Sequence, residues 1–506
     1  MELFTERHAD KILGVLSCLD RVVITGTIPE ICYSQGMTGF LKARQIRIFD
    51  YTKWAEPLRE EIRVNAERLA KEHGLEIEFI RRKNFRKEER IREIIEKRGA
   101  HTGLVHIFSA MEPCPSYKPW HDKRTHKTFL KPNDSKCLHY YFYFILDDLG
   151  LCYLRVPTWA PFRLQFYFNG HNKLAVDLVK KSIGFEILEN AFVEIDGFKK
   201  AQRLADTIQP KQLHRRLDQL AKSFCPVIRH FSSGYHWSLM QVEYATDIIF
   251  RHQADLKPIY EELVRTAIHS VKPENIITFL GRKLHGNFQG EMGNNFHTRI
   301  EGTRIKHQMK DVSIKMYDKH GIVLRIETVV NNVSFFMHHR RVEHRDGTWS
   351  MKLASVKKSI YSLSALCNLM QAANRRYLEF ISAIDDPTSS LHDLEKISKP
   401  IKDGERSWRG FNLFHGDDLD LFRTIIRGEF NISGFQNRHL RTLLSGKTAH
   451  QVSRMLKRLR KHGLIKKIGN RYKYYLTALG RKVTALALKL REMYIIPSLR
   501  GILVTH

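Results

Sequence analysis

The chain has 506 residues, 42% of them hydrophobic and 10% aromatic, which is enough for roughly three domains with sizeable cores and too apolar for a disordered protein. Its 84 Lys and Arg against 54 Asp and Glu leave a net charge of +30, spread along the whole length. A solvated surface does not require so large an imbalance, and self-repulsion is relieved when a polyanion binds, so nucleic acid is favoured over a membrane surface as partner.

In chain order, residues 1–200 read as an α/β region. A β-branched strand is expected at Arg21–Ile28, helices at Trp54–His73 and Arg86–Arg98, and strands at Leu75–Ile80 and Leu104–Phe108. Neither GxGxxG nor GxxxxGK[ST] follows any strand, which argues against a nucleotide-hydrolysing motor. Tyr117–Lys136 reads as a polar loop in which Lys118, Lys123, Arg124 and Lys127 interleave with Trp120 and Phe129. Cations for phosphates beside flat rings for bases are what a single strand or a distorted backbone needs. An antiparallel β-meander follows, over Leu138–Leu146, Leu151–Val156 and Phe162–Phe168, with Asp147 and Asp148 as turn residues.

Residues 201–285 read as helical, with helices expected at Pro210–Ser223 and Ser238–His252. On the second, Glu243, Asp247 and Arg251 fall one turn apart and suit an ion-pair ladder better than a cation site. Residues 286–385 form an expected α+β region around Asp311–Val330, two alternating strands flanking His320-Gly321. Lys315, Tyr317 and Lys319 share one face of the first strand; Arg325 and Glu327 share the polar face of the second, and the expected register sets Tyr317 beside Arg325 and Lys315 beside Glu327. Residues 386–410 are polar, with two prolines, and read as a linker.

Residues 411–506 carry the most consistent pattern. Helices are expected at Asp417–Gly428 and Asn437–Leu444, and Thr448 and Gln451 have capping-box spacing at the start of a third. That third helix puts Val452, Met455, Leu456 and Leu459 on one face and His450, Ser453, Arg454, Lys457, Arg458 and Lys461 elsewhere. Two short strands around Gly469-Asn470 form a hairpin with Lys466, Lys467, Arg471 and Lys473, and Thr477 caps a last helix running to Tyr494. Its apolar stripe suits either a core or a homodimer seam. A basic helix beside a basic hairpin suits a major groove and the neighbouring phosphates.

The tract Tyr475-Leu476-Thr477-Ala478-Leu479-Gly480-Arg481 resembles the wing-to-helix passage of MarR-type winged-helix proteins, which implies a winged helix-turn-helix that binds DNA. Tyr317-Asp318-Lys319 with Leu324-Arg325-Ile326-Glu327 resembles a hairpin of the replication-initiator proteins of plasmids and filamentous phages. Those proteins nick an origin through a tyrosine with a metal ion, which would make Tyr317 and Glu327 catalytic residues. No His-x-His metal pair with an apolar middle residue accompanies the hairpin.

The fold expected is thus α+β multidomain: an N-terminal α/β region with a β-meander, a middle α+β region and a C-terminal winged helix. The expected function is a sequence-specific DNA-binding regulator or a replication-initiator-like protein of a mobile element. The alternatives are a metal-dependent nickase or nuclease using Tyr317, with Mg²⁺ or Mn²⁺ as its cofactor, and a binder of structured RNA. No other cofactor is implied, and a zinc site drawn from Cys114, His121, His126, Cys137 and His139 has no standard spacing. No run of about 18 apolar residues suggests a membrane span. MELFTERHADK lacks a secretory-signal layout, and seven dispersed cysteines without a CxxC pair suit free thiols in a cytoplasmic protein.

Overall fold

The structure, a computed structural model, describes residues 2–82, 84–271, 273–282, 292–299, 302–382, 387–412, 414–427, 430, 434–468 and 472–491. Arg471, Gly469-Asn470, Gly428 and the end of the expected last helix at Tyr494 lie outside them. The chain forms two compact units, one of Met1–Val15, Thr246–Thr328 and Leu369–His506, the other of Leu16–Ala245 and Val329–Asn368. The architecture is mixed α+β, and among the described residues no helix is long and apolar enough to cross a membrane.

The second of these units is built on a sheet. Strand Ile12–Thr27 pairs antiparallel with Leu164–Asn169, which pairs with Gly150–Pro157, then Lys127–Leu146, then Gly103–Asp122. Ile77–Phe79 adds a short parallel edge. The stretch Tyr140–Phe144 is aromatic at every position because both faces of its strand are covered. Tyr141 and Tyr143 pack with Ile91 and Ile94 of helix Lys87–Arg98. Phe142 and Phe144 meet Phe224, at the end of helix Pro210–Phe224, with ring centroids 4.7 and 5.6 Å apart. Arg216 of that helix pairs with Asp147 and Asp148, so these turn acids serve an ion pair.

Two expectations are corrected in this unit. Tyr117–Lys136 is no loop: strands Gly103–Asp122 and Lys127–Leu146 are 20 residues each and stay in register out to Asp122↔Lys127. Ser238–His252 is no helix but mostly strand, His236–Phe250. Its Val242, Tyr244, Thr246, Ile248 and Ile249 are β-branched or aromatic residues that pack well on a pleated surface. The Glu243–Asp247–Arg251 ladder therefore does not form, since a helical turn is required to bring i and i+4 together.

In the first unit, strands Met292–Arg299, Gly302–Met309 and Val312–Lys319 pair antiparallel in sequence order, and Val323–Val330 is the next strand of the sheet. A buried polar layer ties the unit together. Asn374 Nδ2 donates to Thr246 Oγ1 at 3.2 Å, and the Thr328 hydroxyl donates to Asn374 Oδ1 at 2.6 Å. His307 Nε2 lies 2.9 Å from the buried Tyr377 hydroxyl.

The C-terminal part of this unit has one apolar core. Leu421, Phe422 and Ile425 come from helix Gly416–Ile425, and Leu440 from Asn437–Leu443. Val452, Leu456 and Leu459 come from Ala449–Lys461. Ile465 and Leu476 come from hairpin strands Ile465–Ile468 and Lys473–Leu476, and Val483 and Ala487 from Ala478–Lys489. Leu479 of the last helix packs against the same core. The expected linker is ordered as helix Pro387–Ser398 and a short hairpin, Ile401–Asp403 with Arg406–Trp408, and its Ile397 enters the same core.

Candidate nucleic-acid interface

Helix Ala449–Lys461 starts on the expected capping box. Thr448 Oγ1 accepts from the Gln451 backbone N–H at 3.3 Å, and Gln451 Oε1 accepts from the Thr448 N–H at 2.8 Å. With Val452, Leu456 and Leu459 turned into the core, His450, Ser453, Arg454 and Lys457 are left exposed, and Arg460 joins them. Asn437, at the start of the preceding helix, donates to Ser453 Oγ at 2.8 Å and to the Ala449 carbonyl at 2.9 Å, which locks the two helices together.

Two members of the expected row have other duties. Arg458 is buried: Nη1 and Nη2 donate to Asp418 at 2.6 and 2.9 Å, and Nε and Nη2 donate to the carbonyls of Arg409 and Gly410. It lies on the flank of the helix between the core face and the exposed row, and its hydrogen bonds hold it in the protein. Lys461 pairs with Asp403 at 2.6 Å, and Lys457 Nζ lies 5.5 Å from the Trp408 ring. The short hairpin 401–408, absent from the sequence reading, therefore lies along the end of this helix.

The hairpin after the helix presents Lys466 in solvent and Lys467 and Lys473 half-exposed. Lys467 Nζ sits 4.0 Å from the ring of exposed Tyr472, and Lys473 Nζ 5.7 Å from that of Tyr475. Thr477 joins hairpin to helix, its hydroxyl donating to the Gly463 carbonyl at 2.6 Å and accepting from the Gly480 N–H at 2.9 Å. A Cβ on Gly480 would meet the Leu464 carbonyl oxygen at 1.9 Å, so the passage requires glycine there.

At Tyr317, Lys315 meets Glu327 as expected, and the tyrosine reaches the same carboxylate. The Tyr317 hydroxyl donates to Glu327 Oε2 at 2.8 Å, and Lys315 Nζ donates to Oε1 at 3.1 Å. Arg325 is fully buried and forms a bidentate pair with Asp247, Nε to Oδ1 at 2.7 Å and Nη2 to Oδ2 at 2.6 Å. Glu327 is buried as well. Arg325 thus belongs to the interior, not to a nucleic-acid surface, while Lys315, Tyr317 and Lys319 stay half-exposed.

In the second unit the end of the long hairpin gathers Lys118, Trp120, Lys123, Arg124 and Lys127, all exposed. Trp120 faces Phe129, Lys118 faces Lys131, and Lys131 Nζ lies 3.6 Å from the Trp120 ring. Asp122 closes the turn by accepting from the Arg124 N–H and the Thr125 hydroxyl. The expected basic-aromatic cluster is present, carried on a ribbon.

Glu243, read from the sequence as part of an ion-pair ladder, meets Asp20, a residue the sequence pattern does not single out. Asp20 and Glu243 offer carboxylate oxygens within 4.8 Å of each other, Asp20 buried and Glu243 half-buried. Asp20 Oδ1 also accepts from Asn169 and Asn190 at 3.0 and 2.9 Å, and His171 Nδ1 lies 3.1 Å away. Two carboxylates this close favour a proton or a cation between them. The zinc set assembles only in part: Cys137 lies beside Cys114 and 3.8 Å from His139 Nδ1, but His121 bonds Thr128 and His126 is an exposed turn residue.

No family model matches the chain, and no curated protein or solved structure matches it either.

Proposed function

We propose that the protein binds duplex DNA in a sequence-specific manner through its C-terminal segment acting as a winged helix. Helix Ala449–Lys461 enters the major groove, and Lys466, Lys467 and Lys473 of the following hairpin reach the adjacent phosphates. The observation that carries this reading is the exposed row His450, Ser453, Arg454 and Lys457 on a helix whose opposite face is core. The net charge of +30 agrees with a polyanionic partner. A regulator, or a replication-initiator-like protein of a mobile element, is the role this arrangement suits.

The test is to purify the full chain from its own host at moderate salt and sequence the nucleic acid that comes with it. A discrete DNA fragment, bound about tenfold less tightly by Arg454→Ala, supports the reading. A discrete RNA, or equal binding by that variant, overturns it.

A second reading, a metal-dependent nickase or nuclease, draws on separate observations in each unit. Tyr317 is hydrogen-bonded to a carboxylate able to take its proton, and Asp20 and Glu243 form a carboxylate pair of the kind that holds Mg²⁺ or Mn²⁺. It requires Mg²⁺- or Mn²⁺-dependent cleavage of the co-purified DNA. Cleavage by Tyr317→Phe would remove the tyrosine from the reaction, and cleavage by Glu243→Gln would remove the carboxylate pair.

A further inference from the structure

Strands Met337–Glu343 and Trp349–Ser355 form a two-stranded sheet of their own, in register from Met337↔Ser355 to Glu343↔Trp349. At its base Phe336 and Val356 are buried, and the Val356 N–H donates to the Phe336 carbonyl at 2.9 Å. At its tip Asp346 accepts from the Thr348 N–H and hydroxyl, and the His344 N–H donates to the Thr348 carbonyl. Both ends are therefore fixed, yet the ribbon between them has one face in solvent. Trp349, Met351 and Leu353 stand in a row on that face at 55, 61 and 57% exposure. Arg341, opposite Met351, holds its guanidinium 4.2 Å from the Trp349 ring.

A row of three large apolar side chains left in water is costly and marks a contact surface. The charges around it select the partner. Over the ribbon as a whole Arg340, Arg341, Arg345 and Lys352 outnumber Glu343 and Asp346; His339, Arg341 and Glu343 share the apolar face, while Arg340, whose guanidinium donates to the Ser355 and Arg341 carbonyls, stands opposite Lys352 on the other. A second protein patch would have to be acidic and apolar together. The major groove of a duplex is bounded by phosphates, presents thymine methyl groups, and admits a two-stranded ribbon.

We propose that this ribbon lies in the major groove of the DNA bound by the protein, with Met351 and Leu353 against thymine methyls, Arg341 of the same face on base edges and Arg345 at the tip on phosphates. The inference rests on the reading of the protein as a duplex-DNA binder and adds a second groove contact to that of the C-terminal helix. The two contacts are separable by experiment.

Full-length Met351→Ala/Leu353→Ala, full-length Arg454→Ala and the parent are compared on the co-purified DNA fragment. Each is tested on thymine-containing and on uracil-substituted duplex. Both sites are exposed, and circular dichroism verifies the fold. The ribbon variant is expected to bind about tenfold more weakly and to lose the parent's preference for thymine at one set of positions; Arg454→Ala keeps that preference. If the ribbon variant binds as the parent does while Arg454→Ala is weakened, the ribbon inference falls and the C-terminal reading stands. Loss of binding in the ribbon variant alone supports the ribbon and removes the C-terminal reading. If neither variant differs from the parent, both fall. A change in sedimentation by the ribbon variant, with DNA binding intact, would make a second copy of the chain the occupant and overturn the proposal.

Discussion

Arg458 and Asp418 form a bidentate pair, 2.6 and 2.9 Å, closed inside the C-terminal part of the first unit. The arginine sits on the helix proposed to meet DNA, but its charge is spent internally. Removing one partner leaves the other buried and unpaired, which costs about 3–5 kcal/mol. Arg458→Met is therefore expected to destabilise this region by that order, whereas Arg458→Met with Asp418→Leu recovers most of the loss. Chemical denaturation of the two variants checks this.

The same pair sets an acid limit. Burial pushes the Asp418 carboxyl up, but Arg458, the Asn412 N–H and Arg409 outweigh it and hold the group below its ordinary 3.8. A depressed carboxyl contributes stability that is complete above the unfolded value and is lost as pH falls through the folded one. Asp418→Asn should therefore flatten the pH dependence of stability below pH 4 and leave its slope above that unchanged.

Two histidines, one in each unit, act over a higher window. Burial lowers His307 to about 4, and burial together with Arg155 lowers His139 to about 4. Each is neutral when folded at pH 7, while the unfolded chain takes up a proton below about 6.5. Stability is complete above that value and falls toward pH 4, by at most about 3 kcal/mol per group. Thermal unfolding between pH 7 and 4 should show this loss, and His307→Phe should reduce its slope.

Tyr317 and Lys315 share one buried carboxylate. Tyr317→Phe removes a hydrogen bond to Glu327 and is expected to cost on the order of 1–2 kcal/mol without weakening duplex binding. Glu327→Leu should cost more, because Lys315 and Tyr317 both lose their acceptor. Denaturation and fluorescence anisotropy on the same preparations separate the two effects.

Gly480 meets the Leu464 carbonyl too closely for any side chain. Gly480→Ala must shift the helix off the hairpin, at about 1–3 kcal/mol or more. Lys466→Ala, on the exposed strand, should leave stability alone and reduce the salt slope of DNA binding by about 1. Running both variants separates damage to the scaffold from loss of a phosphate contact.

Local patterning was enough wherever one face of an element is buried and the other is wet. The two helices and the hairpin between residues 437 and 476, the strands flanking His320-Gly321 and the helix caps at Thr448 and Thr477 can all be read from periodicity and turn residues. That signal disappears when both faces are buried or both exposed. Strand His236–Phe250, buried throughout its second half, reads as a helix; the ribbon 337–355, with no buried position on either face, gives no signal; and the long hairpin beyond Tyr117 reads as a loop. The fate of a charge is still less local. Arg458 and Arg325 look like their exposed neighbours in the sequence, and each is buried because an aspartate 40 or 78 residues away offers both oxygens. Composition alone carries the net charge of +30 and, with it, the expectation of a polyanionic partner. Which cations remain free to meet it was decided by tertiary structure, since a buried charge is tolerated only where the fold supplies its counter-charge.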